Sequence, residues 1–177
     1  LGRRAPLDLG IVGDVRNTAE ALLPLIEPKK SHAHLDASRD HYKKTRKKLD
    51  ELATPTPKGK LIHPQYVARL VNELAADDAV FLPDVGSPVV WAARYLEMNG
   101  KRGLIGSFNH GSMANAVSQA IGVQAADRER QVVALAGDGG LAMMLGELLT
   151  FKQNEPLPVK IVVFSNSSLN FVELEMK

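Results

Sequence analysis

Cysteine is absent from the 177 residues, which excludes disulfides, thiolate nucleophiles and cysteine-ligated zinc. The absence is compatible with a reducing compartment and does not establish one. Aromatic residues are scarce at 5% of the chain, and none interrupts the basic run KKTRKK after Tyr42. Without interleaved rings that run offers no stacking platform for a single-stranded nucleic acid. Acids flank it, so a solvated helix face is the simpler reading. An excess of one charge is missing too: 22 Lys and Arg oppose 20 Asp and Glu, for a net charge of +2. That balance argues against a nucleic-acid partner. No apolar run approaches the roughly 20 residues of a membrane helix, and no basic-apolar-small signal pattern opens the chain.

What is present is an ordinary globular composition, 45% apolar and 24% charged, enough for one core plus an appendage. The chain opens at Leu1 and closes at Met176-Lys177, just beyond a polar loop. We expect it to be an internal piece of a larger polypeptide. Residues 7–12 (LDLGIV) predict a strand, and Asn17-Thr18 predict the cap of a helix over 19–26 that Pro28 stops. Residues 35–52 predict a weakly amphipathic, exposed helix, and TPTPKGK (54–60) a linker stiffened by two prolines. His63-Pro64 opens a helix through Leu74 with apolar spacing at Val67, Leu70, Val71 and Leu74.

Four strand-and-loop units follow. Strands are predicted at 79–82, 103–107, 131–136 and 159–164, ending in the polar loops DVGSP, FNHGSM, GDGG and SNSS. Helices are predicted over 89–98, from the FNHGSM loop through Val123, and over 141–153. Buried strands alternating with helices imply an α/β fold, a parallel sheet with helices on both faces. The four loops then gather at the carboxyl ends of the strands, where such sheets bind ligands.

The turn GDGGLA satisfies the dinucleotide pattern G-x-G-x-x-A through Gly137, Gly139 and Ala142, a weak signal by itself. Two features count against a nucleotide. The next strand ends in Phe164-Ser165-Asn166 rather than in an acid that could hold a ribose, and Asp138 would aim a negative charge at a pyrophosphate. A divalent cation between carboxylate and phosphate removes the conflict. Magnesium suits the available oxygens, from Asp138, the amide of Asn166 and a loop carbonyl. A helix starting near Gly140 would add N–H groups and a positive dipole end.

GDG followed 28 positions after its Asp by an Asn beyond an apolar strand resembles the thiamine diphosphate motif of the decarboxylase and synthase superfamily. The strings DVGSPVVWAARYLEMNGKR and GSFNHGSMANA are narrower and resemble the flavin-dependent pyruvate oxidases, the quinone-reducing pyruvate dehydrogenase family. The resemblance runs over nearly the whole chain. It implies that residues 1–30 end a Rossmann-like flavin-binding middle domain, 31–60 form a connector helix and linker, and 61–177 form a thiamine diphosphate-binding domain truncated at its C-terminus.

The same resemblance implies magnesium ligands at Asp138, Asn166 and the carbonyl of Ser168, with Gly139 and Gly140 facing the diphosphate. Gly86 and Ser87 would add contacts to it. The loop through Ser167, Ser168, Leu169, Asn170, Phe171 and Val172 would close over the cofactor. Gly111, Ser112 and Met113 would hold the aminopyrimidine, Met113 propping the cofactor into the bent shape that brings its amine near the thiazolium carbon. Two positions depart from the family: Ser165 stands where a second Asn is common, and Asn170 where a Gly is common. One extra residue lies around Asn154-Glu155.

For the parent enzyme the resemblance implies oxidative decarboxylation of pyruvate to acetate and CO2, with FAD and quinone, in a homo-oligomer that shares its active site with a neighbouring subunit. It further implies a cytoplasmic location, peripheral on the inner face of the cell membrane, and an inactive isolated piece. An acetohydroxyacid synthase-like enzyme is the nearest alternative, and a non-catalytic Rossmann-like nucleotide-binding module is the alternative of another class. Other candidates stay open. His110 reads either as a polar group facing substrate or as a loop histidine bonded to backbone. Asp84 reads as a turn residue or a site residue, and Glu147 as a surface or interface charge or a support behind the ligands. His63 reads as structural, and at least one of Met143 and Met144 as core.

Overall fold

The computed structural model describes residues 2–154 and 157–176, the side chain of Leu174 excepted. Internal contacts divide the chain into residues 1–45 and 46–177. In the first unit, Asp14 caps α1 (Val15–Leu22) by accepting from Asn17 N at 2.9 Å, and a 3-10 turn (Leu23–Leu25) follows. The cap is therefore Asp14, three residues before the expected one. The strand expected at 7–12 does not form. No described strand pairs with it, and Leu9 and Val12 are 76% and 92% exposed, so its backbone has neither a ladder nor a core to reward extension. Helix α2 (Ala33–Leu52) buries none of its residues, as its charge pattern predicts.

In the second unit, His63 caps α3 (Pro64–Leu74), its ring accepting from Gln65 N, which matches its structural reading. The buried face of α3 is Gln65 and Ala68, while Leu74 is exposed. Tyr95 explains the polar choice: its hydroxyl lies 2.7 Å from both Gln65 Oε1 and the Leu49 carbonyl, among Ala53, Ala68 and Trp91. Glu155, part of the expected extra residue, lies outside the described residues.

Strands β1 (Val80–Pro83), β2 (Gly103–Leu104), β3 (Val132–Gly137) and β4 (Lys160–Phe164) form one parallel sheet in the order β2-β1-β3-β4. Val80 stands opposite both Gly103 and Val132, and Val133 opposite Lys160. The two-residue period of a strand sends Val80, Leu82, Val132 and Ala134 to one face, against Ala116 and Ala120 of α5 (Asn115–Ala126). Phe81, Val133 and Leu135 go to the other, against Val71 of α3 and Ala92 of α4 (Ser87–Tyr95). Helices thus cover both faces, as predicted.

Three elements depart from their expected bounds, and one is α4, which covers Ser87–Tyr95 rather than 89–98. The edge strand β2 stops at Leu104 rather than 107, with Ile105 N still bonded to Phe81 O at 3.0 Å before the chain turns away. The expected helix over 141–153 is three pieces: α6 (Asp138–Met143), a 3-10 turn (Leu145–Glu147) and α7 (Leu148–Gln153). Gly146 is a poor helix former at the break, and Met144 leaves helical geometry at φ −119° and ψ 29°. A last helix, α8, spans Asn170–Glu175. Arg102 clips β2 to the end of α3, donating to the carbonyls of Asn72, Ala75 and Ala76 while lying over the Phe81 ring.

Candidate functional site

The sheet order sets where a ligand can enter. From β1 the chain steps outward to β2, and from β3 it steps the opposite way to β4, so connections diverge between the two central strands. A doubly wound sheet opens its crevice at that switch point, beyond the carboxyl ends. The loops after β1, β3 and β4 meet there in an open cleft.

One wall is the start of α4. Gly86 holds φ 117°, a backbone conformation that favours glycine, and supplies no side-chain cap to the helix that begins at Ser87. N–H groups of a first turn left without a cap are donors suited to an anion. Gly139 and Gly140 form the opposite wall with Asp138, and Met113 reaches across to it. A Cβ at Gly139 would stand 3.6 Å from Met113 Cε.

Asp138 is the chemical centre. Its Oδ2 accepts from Ser167 N at 2.7 Å and Asn166 N at 3.2 Å, and its Oδ1 from Gly139 N at 2.9 Å. These donors, Ser167 N foremost, hold the Asp138 carboxyl below the usual carboxylate range. Asn166 Oδ1 accepts from Ser168 N at 3.1 Å, tightening the loop around Ser167, which sits at φ 55°. A carboxylate offers about four lone-pair sites and three are used here, leaving Oδ1 able to accept one more partner. The available donors are carboxylate, amide, carbonyl and hydroxyl oxygens, a set that suits magnesium, calcium or manganese rather than softer metals. Among the described residues no group of three His, Cys, Asp or Glu gathers to hold a metal in another way.

A depressed carboxyl contributes stability that is present above its unfolded value and lost as pH falls through its folded one. The stability difference between the unsubstituted protein and Asp138→Asn is accordingly expected to be constant at neutral pH and to shrink from about pH 5 downward. Denaturant midpoints of the two proteins across that range measure it. A difference that grows on acidification would contradict this account of Asp138.

The remaining expected residues divide. Ser168, Leu169, Asn170, Phe171 and Val172 line the cleft with Asn166, although Asn170 onward is the first turn of α8 rather than open loop. Gly111 and Ser112 do not line it; they shape the preceding loop, where Gly111 N donates to Ser107 O and Ser112 N to Ser107 Oγ. His110 is exposed and outside the cleft. Glu147 is half-buried and outside the cleft, accepting from Thr150 Oγ1, and Met143 is 63% exposed, which leaves Met144 as the partly buried one of the pair.

Two residues lie beneath the cleft: Asp84, which the sequence leaves open as a turn or site residue, and Asn115, which sits within the GSFNHGSMANA string without a role assigned to it. Asp84 is 1% exposed and Asn115 9%. Asp84 Oδ1 accepts from Val85 N (2.9 Å), Asn115 N (3.2 Å) and Asn115 Nδ2 (3.1 Å). Burial pushes the Asp84 carboxyl up, against the pull of these donors. The available signals were an Asp at a strand end before Val-Gly and an Asn opening a helix, neither distinctive alone.

Comparison with known proteins bears on this arrangement. The family model described as thiamine pyrophosphate enzyme, C-terminal TPP binding domain, matches residues 84–177. The chain is 33% identical, over all of its length, to the putative thiamine pyrophosphate-containing protein YdaP of Bacillus subtilis (strain 168), of which it covers 30%. It is 32% identical over 98% of its length to the acetolactate synthase isozyme 3 large subunit of Escherichia coli (strain K12), again covering 30% of that protein. With the acetolactate synthase large subunit of Parasynechococcus marenigrum (strain WH8102) it shares 34% identity over 94% of its length, covering 26%. The chain thus spans less than a third of the length of these curated relatives.

Proposed function

Because the chain belongs to the thiamine pyrophosphate enzyme family, we propose that the cleft between the ends of β1 and β3 anchors the diphosphate of thiamine diphosphate through Mg2+. The observation that carries this reading is Asp138 bonded to the Asn166 and Ser167 backbone opposite uncapped N–H groups at Gly86-Ser87. Asp138, the Asn166 amide oxygen and the Ser168 carbonyl would hold the cation, and Gly86, Ser87, Gly139 and Gly140 would face the phosphates. Met113, which lines the cleft, would seat the aminopyrimidine end, with Gly111 and Ser112 shaping the loop that carries it. When bound, the cofactor supplies the electron sink that lets a 2-oxo acid lose CO2. The chain's own part is to keep Asp138 ionised, present backbone donors to the phosphates and place the Met113 side chain beside Gly139.

For the whole enzyme we propose that pyruvate, water and a quinone give acetate, CO2 and quinol, with FAD as the carrier of the electron pair. The strings DVGSPVVWAARYL and NHGSMANA favour this reading. A homo-oligomer in the cytoplasm, peripheral on the membrane, with the active site shared between subunits, belongs to the same proposal. A second reading has its own support in the named relatives: two pyruvates give acetolactate and CO2, with no net oxidation.

Calorimetry on the full-length protein tests the anchor. Magnesium-dependent uptake of thiamine diphosphate is expected, and tighter, magnesium-indifferent binding of a nicotinamide dinucleotide would overturn it in favour of a nucleotide module. Pyruvate turnover then separates the chemistries. Acetate with one quinone reduced per CO2 supports the oxidase, whereas acetolactate formed without an acceptor supports the synthase.

A further inference from the structure

Asp84 is a carboxylate taken out of water at the end of a central strand, and its position is hard to explain as a turn residue. Burying a charge is costly unless hydrogen bonds compensate, and here they come from three places at once. One is its own turn, through Val85 N. The second is the start of α5, whose N-cap residue Ala114 has no capping side chain and stands at φ 65°, unusual for a residue other than glycine. Asp84 caps that helix from a different strand, through Asn115 N. The third is the Asn115 side chain, whose Nδ2 donates both to Asp84 Oδ1 and, at 2.9 Å, to the Ser112 carbonyl.

The Asn115 amide cannot turn over without aiming its oxygen at the carboxylate, and in its present pose Oδ1 is buried without a partner. Its orientation is therefore imposed by Asp84 and Ser112 rather than by its own best satisfaction. On the other side, Asp84 lies against Gly140 so closely that a Cβ there would fall 2.9 Å from Asp84 Cγ and 3.4 Å from Ala114 N. The carboxylate thus touches, at one point, the base of the Gly111–Met113 segment and the Asp138–Gly140 turn.

We propose that Asp84 is a positioning residue: through Asn115 it locks the Ser112-Met113 backbone at a fixed distance from the Asp138–Gly140 turn, and so sets the spacing between the two parts of the cleft that receive opposite ends of thiamine diphosphate. This rests on the cofactor reading above. A helix cap alone would stabilise α5 without regard to ligand, whereas a spacer affects a ligand that spans both parts more than one that occupies only the diphosphate end.

The test uses the full-length protein with Asp84→Asn and Asn115→Ala. Thiamine diphosphate and inorganic pyrophosphate, each with Mg2+, are titrated by calorimetry, and hydrogen exchange is read in the ligand-free protein. In both variants thiamine diphosphate affinity is expected to fall about tenfold or more, the scale for residues that orient a site from behind, while pyrophosphate changes by less than about twofold. Amides of residues 107–115 should exchange faster, with those of 132–137 unchanged. Equal losses for both ligands, or unaltered exchange at 107–115, would overturn the proposal. If Asp84→Asn fails to fold, Asn115→Ala decides, because it cuts the tie to Ser112 and leaves the backbone bonds of Asp84 in place. Should the unsubstituted protein take up no thiamine diphosphate, the cofactor reading falls, and the exchange result alone judges the lock.

Discussion

Gly140→Ala is expected to destabilise the protein by about 3 kcal/mol, the upper part of the range for overpacking a well-filled interior. Gly140 is buried in the first turn of α6, and its missing side chain is the space that Asp84 occupies. An added methyl would overlap Asp84 Oδ2, and neither partner can yield easily. Asp84 is held by Val85 and Asn115, and Gly140 lies in the first turn of α6, which follows directly on β3, whose hydrogen bonds to β1 and β4 fix its end. Gly139→Ala is the matched control, since its Cβ would meet only Met113 Cε at 3.6 Å and Leu169 Cδ2 at 3.8 Å, ordinary contacts. It is expected to change stability by less than about 1 kcal/mol. Urea denaturation of both variants measures the contrast. Equal midpoints would mean that Asp84 is free to swing out of the interior, which would also weaken its assignment as a spacer.

That close approach is invisible in the sequence, and the reason is general to this domain. Continuous apolar runs write burial on both faces directly into VVALAG and VFLP, so the central strands and the covering helices can be read before any contact is known. Parallel strands also bring their carboxyl-end loops together by geometry alone, which is why the meeting of Gly86, Asp138 and Asn166 was foreseeable. Other features depend on neighbours the sequence does not name. Residues 7–12 have strand propensity and no partner among the described strands, and propensity does not replace a ladder. The segment over 141–153 has helical spacing, yet breaks at Met144 before Gly146. His110 belongs to the most distinctive string and lies outside the cleft, whereas Asp84 and Asn115 beneath it look like any turn acid and any helix-start amide until Gly140 is set against them.

Asp138→Ala is expected to abolish magnesium-dependent thiamine diphosphate binding, a loss beyond the roughly 100-fold attached to residues that only orient a metal site. Two effects combine. Among the described residues the side chain is the one carboxylate lining the cleft, so its removal takes away the charge that a divalent cation needs beside a diphosphate. It is also the post to which the loop is tied, through Asn166 N and Ser167 N, and Ser167 keeps its left-handed φ of 55° within that tie. Untethered, the other two expected ligands, Asn166 and Ser168, lose their fixed relation to α6. Global stability should change little, by about 1 kcal/mol or less, because Asn166 and Ser167 are exposed and water can replace the lost acceptor. Calorimetry with and without Mg2+, together with hydrogen exchange over 166–172, reads the two effects separately. Asp138→Asn divides them further: its amide oxygen can still accept from the loop, so exchange there should stay closer to that of the unsubstituted protein while binding is still lost. Retention of magnesium-dependent binding in Asp138→Ala would show that the cation is held elsewhere and would remove the basis for placing the diphosphate at this turn.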